Sequence, residues 1–168
     1  IVPYEVVSKY FQFPMLILMA GMAPLWSMFS QKYLEANRSW LLRSFRNFNL
    51  AFLGLLLGIA VFTLIAPQVM QLWVGEAIAI PQMLIVVTAI MTALRIFTLF
   101  YSYFFNGIGK LKSYLILLVV SVLLKLPLSY LFIKLNYGLS SVVIASALCL
   151  LLWSVVQPID AYRTVKTL

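Results

Sequence analysis

Hydrophobic residues fall along this chain in five long runs, separated by short polar stretches. The runs lie near residues 10–30, 50–72, 81–105, 114–133 and 139–156, each close to the ~20 apolar residues that cross a bilayer as a helix. A strand cannot cross lipid unpaired, and none of these runs alternates as a barrel strand does, so each reads as a helix. The pattern predicts an all-α, multi-pass membrane helix bundle with about five transmembrane helices in a single membrane domain over residues 1–168.

Composition agrees. Of 168 residues, 64% are hydrophobic and 10% are charged, and the mean hydropathy is +1.06. A soluble domain carries roughly 25% charge, and one of this size could not hide so much apolar surface. An ordinary soluble enzyme and a disordered tail are excluded. With no histidine and a lone cysteine, Cys149, no internal disulfide, no His-based metal site and no Ser-His or Cys-His pair can form. Neither a cofactor nor a metal is expected. The chain begins Ile1-Val2-Pro3 without an initiator Met or a signal-peptide pattern, which predicts either a removed start or, as an odd number of spans favours, a fragment of a longer protein.

Twelve Lys and Arg stand against four Asp and Glu, a net charge of +8. In a soluble protein this would suggest nucleic acid. Here the cations sit between the apolar runs, so no nucleic-acid partner is expected and the charges report topology. Lys32, Arg38, Arg43, Arg46, Lys110, Lys112, Arg163 and Lys166 fall on one side of a five-span arrangement, while Lys9 and Lys134 fall on the other. Cytoplasmic loops are enriched in Lys and Arg, which places the N-terminus outside and the C-terminus in the cytoplasm. Trp73, Tyr101, Tyr103, Tyr114 and Tyr137 flank the span edges, as interfacial rings do. The basic segment 31–49 carries Trp40, Leu41, Phe45 and Phe48 at near-helical spacing. It reads either as a helix lying in the inner interface or as a solvated basic loop.

Two cations belong to no loop. Arg95 is twelve residues from Met83 and eleven from Asn106, so it sits roughly 17 Å from either end of its helix, and Lys125 is similarly deep. A charge at that depth costs about 2.5–3.5 kcal/mol to insert, so it marks a watery cavity or a partner. Thr88, Thr92, Arg95, Thr98, Ser102 and Asn106 recur at helical spacing as one polar stripe, and Ser121, Lys125 and Ser129 make a shorter one. Both stripes are expected to line a hydrated cavity. The plainer alternative is that the hydroxyls bond their own helix backbone. Glu5, Glu35, Glu76 and Asp160 all lie at or beyond the span ends, so no carboxylate is available at depth. Arg95 and Lys125 then suit an anionic, phosphate-bearing substrate. Pro14, Pro24, Pro67, Pro127 and Pro158 are candidate bends, and Gly54 with Gly58 is a candidate close helix contact. Asn106–Lys110 reads as a tight turn, not a phosphate loop, because no strand precedes it.

Three short stretches carry a family resemblance. Pro24-Leu25-Trp26-Ser27 followed by Glu35-Ala36 resembles the "P-x-W-S … E-A" stretch of polysaccharide exporters. Leu72-Trp73-Val74-Gly75 is similar to their "LW-x-G" element, and Asn106-Gly107-Ile108-Gly109-Lys110 to their "NG-x-GK" turn. In order and spacing the chain resembles the C-terminal half of an O-antigen or polysaccharide flippase, in the superfamily that also holds MATE-type multidrug exporters. The resemblance implies two lobes of about twelve to fourteen helices in all, working by alternating access. It implies transfer of a polyprenyl-diphosphate-linked oligosaccharide across the bacterial inner membrane. The implied partners are that lipid-linked oligosaccharide, membrane lipid, an N-terminal lobe of the same protein and, as an open partner, a polysaccharide polymerase. The competing classes are a multidrug or cation antiporter, a non-transport assembly subunit and a membrane-embedded enzyme. With neither His nor an acid in the spans, the enzyme lacks catalytic groups, and no enzymatic activity is expected.

Overall fold

A computed structural model describes residues 2–75 and 80–168 of the chain. Glu76 lies outside them. The described residues form six α-helices and one short 3₁₀ turn: α1 (Val2–Met22), α2 (Leu25–Leu34), α3 (Arg38–Val74), α4 (Gln82–Ile108), α5 (Lys112–Lys134) and α6 (Ser141–Lys166), with the turn over Gly138–Ser140 before α6. No strand occurs among the described residues. Helices α1 and α2 together make one span, so five helical units are long and apolar enough to cross a membrane. The protein is a multi-pass, all-α membrane bundle.

Helix boundaries follow local chemistry. Pro24 occupies the break between α1 and α2, whereas Pro14, Pro67, Pro127 and Pro158 lie inside continuous helices. The α2–α3 turn is closed by Glu35, which accepts from Lys32 Nζ at 2.6 Å and from Gln31 Nε2 at 2.9 Å. The Lys32 hydrogen bond holds the exposed Glu35 carboxyl below its usual range. Asn37 then caps α3, its side-chain oxygen accepting from the Trp40 amide at 3.1 Å. Helix α4 ends at Gly109, whose left-handed conformation (φ 70°) lets the Lys110 amide donate back to the Phe105 carbonyl at 3.2 Å. Asn106–Lys110 is thus a helix C-terminus.

Segment 31–49 is neither a separate interfacial helix nor a loop. Residues 38–49 are the first turns of α3, which runs unbroken for 37 residues. At 1.5 Å per residue that is about 55 Å, well beyond the ~30 Å hydrocarbon layer. Its aromatic stripe finds protein rather than lipid headgroups. Leu41 and Phe45 are fully buried with Phe29, Phe100, Tyr101, Phe104 and Phe105, and Phe48 stacks on Phe100 with ring centroids 3.7 Å apart.

Helix α4 is the centre of the bundle. It packs against α1, α2, α3 and α6, while α5 is held chiefly by α6. Half of α4's most apolar stretch is buried, against 6% for α3 and α5. Two cores grip its two ends. Near its start, Leu84, Ile85 and Ala89 pack with Val7, Tyr10, Phe11 and Met70; near its finish lies the aromatic cluster just described. Between helices in lipid no hydrophobic effect operates, so this packing and the buried hydrogen bonds must hold the elements. Tyr10 donates its hydroxyl to the Phe62 carbonyl at 2.8 Å, and Tyr101 donates to Asn49 Oδ1 at 3.0 Å.

The glycine at a close helix contact differs from the pair expected. A Cβ at Gly54 or Gly58 would meet nothing within 4 Å, so this pair makes no close contact among the described residues. Instead Gly107 lies against α2, where an added Cβ would stand 2.6 Å from the Trp26 carbonyl oxygen and 3.3 Å from the Ser30 amide nitrogen. Contacts of this kind also gather the basic segments at one end of the bundle: Lys110 Nζ lies 5.5 Å over the Tyr33 ring, and Phe45 meets Tyr162 at 5.2 Å. Lys9 sits at the other end, beside Trp73. Gly107→Ala is therefore expected to destabilise the bundle by about 1–3 kcal/mol through overpacking against backbone. Gly58→Ala, in open helix interior, should be neutral or slightly stabilising. Thermal unfolding of both variants in detergent micelles checks this; equal midpoints would contradict the α2–α4 contact.

Candidate functional site

Arg95 has thirteen residues of α4 on either side of it, placing it between the two cores. Its side chain is exposed, and it makes neither an ion pair nor a hydrogen bond among the described residues. It lies on the ridge between two neighbouring clefts. The first, about 390 Å³, is lined by Arg95, Lys125, Ser121, Ser146, Cys149 and Trp153, with apolar residues of α4 to α6 and Tyr4 completing it. The second, about 340 Å³, runs between α1 and α4, where Ser8, Gln12, Thr88 and Thr92 meet Arg95. Tyr4 and Met91 are shared by both clefts. Among the described residues no carboxylate lines either one.

The two cations expected at depth thus come together, one from α4 and one from α5, although these helices are bridged mainly by α6. The hydroxyls behave differently from the cations. Thr88 donates to the Leu84 carbonyl at 2.7 Å, Thr92 to Thr88 at 2.8 Å, Thr98 to Leu94 at 2.9 Å and Ser102 to Thr98 at 2.9 Å. Each satisfies itself on its own helix, the usual fate of a hydroxyl in an apolar span. Thr88 and Thr92 still border the second cleft. Thr98, Ser102, Asn106 and Ser129 line neither: Thr98 is buried and Asn106 is exposed at the α4 terminus. Ser121 lines the first cleft but its hydroxyl is engaged, accepting from Trp153 Nε1 at 2.6 Å.

Helix α6 supplies most of what the polar stripes do not foretell. Trp153 lies mid-helix rather than at an edge, and its indole N–H needs an acceptor there, which Ser121 provides. The Cys149 thiol faces the Ser121 carbonyl at 3.6 Å. Gln157 is almost wholly buried and donates from Nε2 to Ser102 Oγ at 3.1 Å, tying α6 to α4. A glutamine just beyond an apolar run was the available sequence signal for this contact.

Chemically, the first cleft is an open, mostly apolar recess with two cations and, among the described residues, no anion of its own. It holds no set of His, Cys, Asp or Glu for a metal among the described residues. No protein-family model, curated protein or solved structure matches the chain. Fold and composition define the class: a multi-pass helical membrane protein with a cationic cleft midway along its central helix.

If the cleft is hydrated, Arg95→Cys and Lys125→Cys on a Cys149→Ala background should react with a charged, water-soluble thiol reagent in intact membranes. Thr98→Cys, buried against the bundle, should not. Equal, negligible labelling at all three positions would mean that the recess is dry.

Proposed function

We propose that the chain is part of a flippase that carries polyprenyl-diphosphate-linked oligosaccharide, a unit of O-antigen, capsule or exopolysaccharide, from the cytoplasmic to the periplasmic leaflet of the bacterial inner membrane. One observation carries the reading: Arg95 and Lys125 line one open cleft that, among the described residues, contains no carboxylate. Two cations sharing one recess repel one another, and a diphosphate relieves that repulsion. The planar guanidinium takes two phosphate oxygens at once, while the ammonium serves as a point charge. The order of the three sequence stretches that resemble polysaccharide exporters supports the same reading.

In this scheme the chain forms one lobe of a two-lobed transporter, and rocking of the lobes exposes the cleft to each side in turn. The diphosphate is held at mid-depth while the polyprenyl tail stays in lipid. Nothing is cleaved, so no acid, base or metal is needed. A multidrug or cation antiporter of the MATE type would want acids facing the cavity, and neither cleft has one among the described residues. A non-transport assembly subunit would leave Arg95 in a dry protein contact, whereas here it borders two recesses. The basic end of the bundle is cytoplasmic in this proposal, because Lys and Arg are retained on that side during insertion.

Arg95→Ala is expected to lower saccharide export at least tenfold while membrane protein level stays constant, given the ~1.5–3 kcal/mol of a charge-assisted hydrogen bond. The readout is lipid-linked oligosaccharide accumulating in cells that carry the variant as their sole copy. Unchanged export would remove Arg95 from substrate handling. In a separate measurement, Lys112 should react with a membrane-impermeant amine reagent only in inside-out vesicles; reaction in intact spheroplasts would reverse the assigned orientation.

A further inference from the structure

A second cationic recess lies at the basic end of the bundle, far along the chain from Arg95 and Lys125. Ser39, Leu42, Arg43 and Arg46 of α3 face Tyr162 and Lys166 of α6 across a cleft of about 660 Å³. Three cations and two hydroxyls surround it, and no carboxylate lines it among the described residues. The charged groups nearby on the same elements are Arg38, Asp160 and Arg163, none of which borders the recess. Its walls are firm: Tyr162 is held edge-on by Phe45 at 5.2 Å, and Ala161 and Val165 are fully buried in the aromatic core.

Depth and periodicity say what this recess meets. Arg43 and Arg46 continue into Leu50, Leu53, Leu57 and Val61 at spacings of three and four, so all six share one face of α3. Those four aliphatic residues are exposed, at 61%, 61%, 72% and 59%. One helix face therefore presents two guanidinium groups at its end and an aliphatic strip starting about 6 Å further along. On α6, Tyr162 and Lys166 lie six and ten residues beyond Val156, where the apolar run ends. A charged headgroup above and an acyl chain below match this surface; a free ion would leave the strip unused.

We infer that the Arg43–Arg46–Lys166 cleft binds the phosphate of an anionic phospholipid, its acyl chain lying along α3. Basic recesses between membrane helices at the headgroup level hold such lipids through their phosphates. The site is independent of the saccharide reading; only the leaflet, the cytoplasmic one, rests on the orientation proposed above. Occupancy would brace the start of α3 against the end of α6, a junction otherwise made by the aromatic core.

The test uses the whole protein in nanodiscs containing equal amounts of phosphatidylglycerol and phosphatidylcholine of matched chains, with retained lipid counted by native mass spectrometry. Wild type should retain phosphatidylglycerol selectively. Arg43→Gln with Arg46→Gln should weaken that preference roughly 10- to 30-fold, at about 1 kcal/mol per cation. Arg38→Gln with Arg163→Gln removes the same charge outside the cleft and should leave the preference within about twofold of wild type. Unchanged far-ultraviolet circular dichroism verifies that both exposed pairs leave the fold intact. Three results would overturn the inference: no preference in wild type, an equal loss in the two double variants, or displacement of the lipid by millimolar inorganic phosphate. The first would point to an acidic protein segment as the occupant, the second to diffuse surface potential and the third to a soluble anion. Because export is not measured, failure here and failure of the flippase reading are separate outcomes.

Discussion

A guanidinium cannot shed its proton in a membrane, so wherever the chain places one at mid-depth it must also supply water, an anion or a carbonyl cage. Arg95 stands under that constraint, and the bundle is organised around its central helix in a way that meets it. The two apolar cores take the ends of α4 and leave the middle of one face open to two recesses. Were the cores continuous there, Arg95 would be trapped without a partner, since Glu5, Glu35 and Asp160 all lie away from both clefts. Packing at the ends and openness in the middle are complementary parts of one solution.

The same balance explains how unequal the helices are. Helix α4 is gripped by four neighbours, while α3 and α5 turn rows of Leu, Val and Ile outward. Lipid accepts such surfaces without cost, so they need no partner. Specific contact is instead concentrated where shape is exacting. Gly107 against the Trp26 carbonyl is one such place. The Phe45–Phe100–Phe104 cluster is another, with T-shaped ring pairs at 5.0 and 6.2 Å. Both lie at the basic end, beside the recess lined by Arg43, Arg46 and Lys166.

Polar residues in the spans divide by chemistry. A hydroxyl can donate a hydrogen bond to the carbonyl one turn back, and Thr88, Thr92, Thr98 and Ser102 all do so. A long cationic side chain has no such option. The expected single polar stripe on α4 is thus functionally uneven: only Thr88 and Thr92 reach a cleft with Arg95, while Ser102 turns to Gln157 on α6. A stripe drawn from spacing alone treats these residues as equals, because periodicity records direction around a helix and not which neighbour arrives there.

From the order of residues alone, the helical class, the five spans and the depth of Arg95 and Lys125 could be derived. Each follows from local hydropathy or from distance along one helix. The gathering of basic residues at one end was equally legible, since connectivity forces it. Tertiary structure decided what depends on contact between helices. The basic segment became the start of α3 because Leu41, Phe45 and Phe48 found aromatic partners more than fifty residues away. The close approach fell at Gly107 and not at Gly54 or Gly58, since a missing side chain matters only where another backbone passes. Trp153, Cys149 and Gln157 joined the polar interior through α6, whose facing side is set by its packing on α4 and α5. Sequence fixes depth, but only the meeting of helices fixes company, because partners in a bundle are chosen by shape across space and not by spacing along the chain.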